Sequence, residues 1–294
     1  MTSHFAVIGK TGQLARALKH QIEESGDRAS FYDRQDLDLT TTPDVIQRFI
    51  QNIPKVDAVI LAAAYTAVDQ AENDRDAAMA ANARAPGLIA AECQKRNIPL
   101  IHFSTDYVFN GEAHSPYKVS DKTDPINVYG YSKRVGELSI QASGCQHAIL
   151  RTSWVFDGTG KNFLTTMLRL SKTHPSLNIV ADQLGRPTYA GHLAQAGLSA
   201  AKGLLEGKDG SSDIFHISNT GPIISWAEFA KAIFKAQNIT ISINSIPTSE
   251  YPTPAKRPAY SALDTRKFET IFDYTLPNWQ DGLSAALAER AKGN

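Results

Sequence analysis

Phe5-Ala6-Val7-Ile8-Gly9-Lys10-Thr11-Gly12-Gln13-Leu14-Ala15 runs from a short apolar stretch through a glycine turn into a segment where Leu14, Ala17, Leu18 and Ile22 recur at helical spacing. Strand, glycine turn and helix in that order is the context a phosphate loop needs, because the free N–H groups of a helix N-terminus attract anions. Gly-Lys-Thr also ends a Walker A loop, but that loop requires glycine five positions before Gly9, where His4 stands. What remains is a GxxGxxA form of the dinucleotide fingerprint, with Ala15 in place of the third glycine. Alanine still permits close packing of helix on strand. Read alone, the motif is also compatible with an ordinary strand-to-helix turn.

The fingerprint gains weight downstream. Ala29-Ser30-Phe31-Tyr32-Asp33 reads as a second strand ending in an acid, 21 residues after Gly12, where a dinucleotide fold places the group that meets the adenosine ribose. Arg34 follows at once and, with Lys10, tilts the expectation toward a 2′-phosphate; a plain turn on Asp33 and Arg34 is the alternative reading. Asp36-Leu37-Asp38-Leu39-Thr40 then leads to a helix over residues 43–52, and Asp38 and Leu39 are assigned to the cofactor-contacting set. Asp57 to Ala64 is nearly continuously apolar, as a strand buried on both faces would be, and the small Ala62, Ala63 and Ala64 leave room for a ligand against the backbone. A long alanine-rich helix is expected over residues 74–96, with Asn82 on its solvent side.

Leu100 to Thr105 forms the next strand, and its end carries Ser104 and Thr105 to the crevice outside the carboxyl ends of a parallel sheet. A breaker-rich loop then enters the helix of Asn127-Val128-Tyr129-Gly130-Tyr131-Ser132-Lys133. Tyr129 and Lys133, four positions apart, share one helix face. An ammonium beside a phenol favours the phenolate, so Lys133 is expected to lower the Tyr129 pKa toward neutrality. A bare YxxxK, read without the rest of the chain, is more often a surface pair.

Ala148 to Phe156 is a further strand, after which the regular alternation breaks into mixed helices and short strands. The expected architecture is α/β: a Rossmann-type, doubly wound parallel sheet over residues 1–156, with a smaller α/β substrate lobe over 157–294 whose segments intermix with it. Thirty basic residues balance thirty acidic ones, so no global field draws the chain to nucleic acid or a membrane surface. Cys93 and Cys145 form neither a CxxC nor a disulfide ladder, no signal peptide or membrane-length apolar run is present, and a cytoplasmic location is expected.

Gly9-Lys10-Thr11-Gly12-Gln13-Leu14, Ala62 to Asp69, Ser104 to Phe109, Asn127 to Gly130, Arg151 to Val155 and Pro252 to Pro258 together resemble the extended short-chain dehydrogenase/reductases, and within them the dTDP-4-dehydrorhamnose reductases, in order and across nearly the whole chain. The resemblance implies NAD(P)H-dependent reduction of the C4 ketone of dTDP-4-dehydro-L-rhamnose. By the same carry-over, Tyr129 protonates the carbonyl oxygen, Lys133 tunes Tyr129 and holds the nicotinamide ribose, and Thr105 orients the carbonyl. Gly9 to Leu14, Asp33 and Ala62 to Ala64 would hold the cofactor, NADPH with NADH as the alternative. Trp154 would pack on the sugar ring, while Asn162 and Arg257 would hold the diphosphate. Some relatives form homodimers around a magnesium ion; the sequence does not place ligands for one, and its eight histidines lack metal-ligand spacing. Two other classes share the architecture: a non-catalytic regulatory subunit, against which intact Thr105, Tyr129 and Lys133 argue, and an epimerase or dehydratase. A dehydratase would show an acidic pair beside the threonine, where Thr105-Asp106-Tyr107 has one acid.

Overall fold

The computed structural model describes residues 2–292. Its centre is a six-stranded parallel sheet of β1 (His4–Ile8), β2 (Arg28–Tyr32), β3 (Ala58–Leu61), β4 (Leu100–Thr105), β5 (His147–Thr152) and an edge strand, Asp213–His216. Across the sheet the order is edge strand, β5, β4, β3, β1, β2. It reverses direction between β1 and β3, and in open parallel sheets that reversal opens the ligand crevice. A single strand, β2, lies beyond β1, because the chain after β2 goes through a turn directly into α2 (Pro43–Asn52).

Strand side chains alternate faces, and both faces are covered. Phe5, Val7, Ile60, Phe103, Leu150 and Phe215 pack against α1 (Gln13–Glu24) and the helices Ala190–Leu205 and Arg266–Phe272. Ala6, Ile8, Val59, Leu61, Leu100 and Ile149 pack against α2 and the helices Ala85–Arg96 and Val128–Ala142. This double burial explains the unbroken apolar run of β3. A third core, around Phe156, Leu164, Met167, Phe229 and Trp279, builds the lobe, where Ser176–Val180 pairs in parallel with Ser242–Ile246. Position 156 does not divide the sheet: the edge strand and the helices Ala190–Leu205 and Arg266–Phe272 return to the first core, and Arg16 of α1 holds Asp157 at 2.6 Å. No helix among the described residues is long and apolar enough to cross a membrane.

Gly9 leaves β1 with φ +121°, and a Cβ there would stand 3.0 Å from the Ala63 backbone nitrogen. That approach of β1 to β3 forms the floor of the crevice. Gly9→Ala is expected to lower unfolding free energy by about 1–3 kcal/mol, the usual penalty for a non-glycine residue held in a glycine conformation. Equal denaturant midpoints for variant and wild type would show that the turn can relax.

The expected helix over 74–96 is interrupted. Arg75–Met79 and Ala85–Arg96 flank a π turn at Ala80–Arg84. Pro86 has no N–H to offer the carbonyl four residues back, which is that of Asn82. The freed carbonyl faces Gly136, where a Cβ would come within 2.0 Å of it, so the two helices meet backbone to backbone. Asn82 is consequently buried at 0% exposure, not on the solvent side.

Candidate active site

A cleft of about 630 Å³ opens at the β1–β3 reversal, lined by Gly9 to Gly12, Asp33, Arg34, Asp38, Leu39 and Ala62 to Ala67. Most of the predicted cofactor residues therefore meet in one place. Gln13 and Leu14 turn elsewhere: the Gln13 amide donates to the Val155 carbonyl at 3.2 Å, and Leu14 packs on the first core. Their backbone N–H groups remain in the first helical turn, which lacks intrahelical acceptors. Asp33 Oδ1 accepts the Gln35 N–H at 2.8 Å, and Oδ2 lies 3.5 Å from the Lys10 ammonium. Backbone N–H bonds from Gln35 and Asp36, with Lys10, hold the Asp33 carboxyl below its ordinary value. Arg34 is exposed and paired with Asp38 at 2.9 Å.

Thr105 ends β4 and caps the turn Asp106–Val108, accepting the Tyr107 N–H at 3.2 Å. The Tyr129 helix begins opposite. Asn127 caps it by accepting the Gly130 N–H at 2.7 Å, and its own amide donates to the Lys256 carbonyl at 2.8 Å. Gly130 is required by contact, since a Cβ would fall 2.1 Å from the Tyr107 carbonyl oxygen. The helix start is thereby pressed onto the turn, and Tyr129 meets Tyr107 edge-on at 5.6 Å, its phenol under the influence of both Thr105 and Asp106. Asn82 bonds both the N–H and the C=O of Tyr65 at 2.9 Å and donates to Ser132 Oγ at 3.0 Å, while Ser132 donates to the Tyr129 carbonyl at 2.7 Å. One buried amide thus ties the loop after β3 to the Tyr129 helix.

The electrostatics differ from the sequence expectation. Lys133 does not govern the Tyr129 phenol, whose pKa is pushed well up by burial and further by the charge of Asp106, against a downward pull from Thr105. The fully buried Lys133 instead donates to the Phe103 carbonyl at 2.6 Å and contacts His102 Nε2 at 3.1 Å. Burial lowers Lys133 to about 8, partly offset by Glu137. Ser104, expected at the crevice, points to the opposite face and donates to Glu137 at 2.6 Å, because adjacent strand residues alternate. Glu137 also receives Arg151 at 2.8 and 2.7 Å and Arg134 at 2.9 Å.

A second cleft, of about 520 Å³, takes in Val68, the residue after Ala67 of the first, and is lined further by Asp69, Tyr107, Phe163, Trp226 and Arg257. Arg257 pairs with Asp69 at 2.7 Å, lies 5.9 Å from the Tyr107 ring centre and keeps Nη1 buried without a protein partner. Trp154 adopts φ +50°, which breaks the expected strand after Thr152, and stacks on Trp226 at 3.6 Å. Asn162 is consumed locally. It caps the helix Phe163–Leu170 and donates to Asp157 and the Thr159 carbonyl, so its amide holds the chain's own loop and does not face the cleft. No group of three or more His, Cys, Asp or Glu side chains suited to a metal occurs among the described residues.

Sequence reading counted Asp106 only as the single acid beside Thr105 and gave no role to Glu137 or Tyr107. The signal was available for Asp106, an acid adjoining the strand-end threonine. Glu137 stands four positions after Lys133 and looks like any helix-surface acid.

The family model described as RmlD substrate binding domain matches residues 3–292. A dTDP-4-dehydrorhamnose reductase of Sinorhizobium fredii is 42% identical over 281 residues, covering 94% of each chain. The enzyme of the same name from Escherichia coli is 37% identical over 96% of each. Among solved structures, dTDP-4-dehydrorhamnose reductase of Bacillus anthracis in complex with NADP superposes with a TM-score of 0.90 at 34% identity, covering 98% of this chain and all of that one (100%).

Proposed function

The chain belongs to the RmlD substrate-binding-domain family, and from that premise we propose that it reduces the C4 ketone of dTDP-4-dehydro-L-rhamnose to dTDP-L-rhamnose with NAD(P)H. The observation that carries the reading is Tyr129, under the influence of Thr105 at the end of β4 and packed on Tyr107 of the second cleft, with a separate cleft suited to a dinucleotide at the β1–β3 reversal. The dinucleotide cleft fits its ligand: the Gly9 turn, the free N–H groups of α1 and the three alanines leave a wall without large side chains. NAD(P)H, when bound, supplies the hydride.

The protein's own task is one proton and several contacts. A phenol kept protonated by burial is an acid at neutral pH, so Tyr129 gives its proton to the carbonyl oxygen as that oxygen becomes an alkoxide. Thr105 donates a hydrogen bond to the same oxygen. Lys133, with two of its three N–H donors bound to Phe103 and His102, has one left for the nicotinamide ribose. In the second cleft the unpartnered Nη1 of Arg257 suits a diphosphate, and the Trp154–Trp226 stack suits the sugar side of the site. Asn162 is left out of this set. The test is NADPH oxidation dependent on dTDP-4-dehydro-L-rhamnose; folded wild-type protein without it would end the reading.

NADPH is the preferred form in this proposal. Asp33 is engaged by its own turn and by Lys10, whereas Lys10 and Arg34 place two exposed cations at the end of β2. Arg34→Ala should lower the ratio of kcat/KM for NADPH over NADH about tenfold, since one charge-assisted hydrogen bond contributes roughly 1.5 kcal/mol. An unmoved ratio would remove Arg34 from phosphate recognition.

A further inference from the structure

Asp106 opens the turn after β4 with its carboxyl 3% exposed. Oδ1 accepts the Thr105 hydroxyl at 3.0 Å, and Oδ2 is buried without a hydrogen-bond partner. No salt bridge among the described residues includes it. The groups around it are the Tyr129 phenol from the catalytic helix, Tyr107 next in the chain with the Arg257–Asp69 pair beyond its ring, and Ser261 from the returning C-terminal segment, whose hydroxyl donates to the Leu184 carbonyl at 3.3 Å. Lys133 points away, to Phe103 and His102. Burial pushes the Asp106 carboxyl up to about 7, against the downward pulls of Thr105, the Asp106 backbone, the Ser261 hydroxyl and the Tyr107 backbone.

The Thr105 hydroxyl has one proton and two lone pairs. The Tyr107 N–H already occupies one lone pair. With Asp106 ionised, the carboxylate is the strongest acceptor in reach and takes the Thr105 proton, so toward the site Thr105 can only accept. With Asp106 protonated, the acid donates to the other lone pair and the Thr105 proton turns to the site. We propose that Asp106 is a positioning residue that sets the direction of the Thr105 hydroxyl proton, and with it whether Thr105 can donate to the substrate's carbonyl oxygen. This rests on the reductase reading given above.

The experiment compares kcat against pH, from about 6 to 9, for wild type, Asp106→Asn and Asp106→Ala, with an infrared titration of the carboxyl bands of substrate-free protein. Wild-type kcat is expected to fall above the pH where the buried acid ionises and to level off about 10²-fold lower, the usual loss of one oxyanion donor. Asp106→Asn, whose amide donates at every pH, should remove that fall and with it a buried carboxyl band titrating near pH 7. Asp106→Ala, with no carboxylate to take the Thr105 proton, should likewise show no alkaline fall and stay above the wild-type lower level at high pH. The same alkaline limb in Asp106→Asn would assign it to Lys133 and overturn the proposal. The absence of any carboxyl titrating between about pH 6 and 8 in wild type would do the same without a variant that must fold. If wild type shows the carboxyl titration but no substrate-dependent NADPH oxidation, the reductase reading fails and the hydrogen-bond switch does not.

Discussion

Tyr129→Phe is expected to lower kcat by about 10²–10⁴-fold, the usual contribution of a positioned general acid, with little change in melting temperature. The lost atom is the only one with a chemical task. The ring keeps its edge contact with Tyr107, the helix cap at Asn127 and the contact of Gly130 with the Tyr107 carbonyl are untouched, and Ser132 still donates to the residue 129 carbonyl. NADPH affinity, read from fluorescence titration, should move far less than kcat. That split separates loss of a proton donor from loss of a binding group. Turnover above about a tenth of wild type would mean that the proton has another source, and the phenol of Tyr107 would be the next to test. Because burial, not Lys133, dominates the Tyr129 pKa, Lys133→Met should leave Tyr129 an acid and act mainly through cofactor binding.

The fold was readable because its cues are local. Apolar runs, the Gly9 turn and the Pro43 helix start each act within a few residues, and β1, α1, β2, α2 and β4 lie where periodicity places them. Meeting points were readable where strand ends are fixed by sheet order, which brings Gly9, Asp33 and Ala62 to one cleft. The rest depends on contacts distant in sequence. Pro86 was visible as a residue, but its consequence at Asn82 needs the helix carrying Gly136 to be packed against it. Ser104 was sent to the wrong side because two adjacent hydroxyls on a strand cannot share a face. The direction of the Tyr129 shift follows from how deeply a residue is buried, and spacing does not report depth. Asn162 looks the same in a sequence whether it caps its own helix or faces a ligand.

Glu137→Gln is expected to destabilise the fold by about 3–5 kcal/mol, because removing one partner of a buried ion pair leaves the other charge without compensation. The charge left behind is Arg151, 1% exposed, which holds Glu137 through both its Nε and Nη2. In a chain of this size that corresponds to a melting temperature lower by on the order of 10 °C. Burial alone would raise the Glu137 carboxyl; the Arg151 hydrogen bonds and charge, with Ser104 and Arg134, outweigh it and hold the pKa below its ordinary value. A depressed carboxyl stabilises the fold above its unfolded pKa and loses that contribution as pH falls through the folded value. The gap between wild type and variant should therefore be full at neutral pH and close in acid below about 4. Glu137→Leu combined with Arg151→Met should recover most of the loss, since a buried pair exchanged for apolar side chains is often neutral. A double variant as unstable as the single one would make the side-chain packing, not the charge, the source of the effect. Activity should fall even well below the transition, for Glu137 also opposes the burial that lowers Lys133, and without it the ammonium loses its proton nearer neutral pH. The same carboxylate thus anchors β5 to the catalytic helix and helps keep Lys133 charged, so a buried ion pair and the lysine of the catalytic helix fail together.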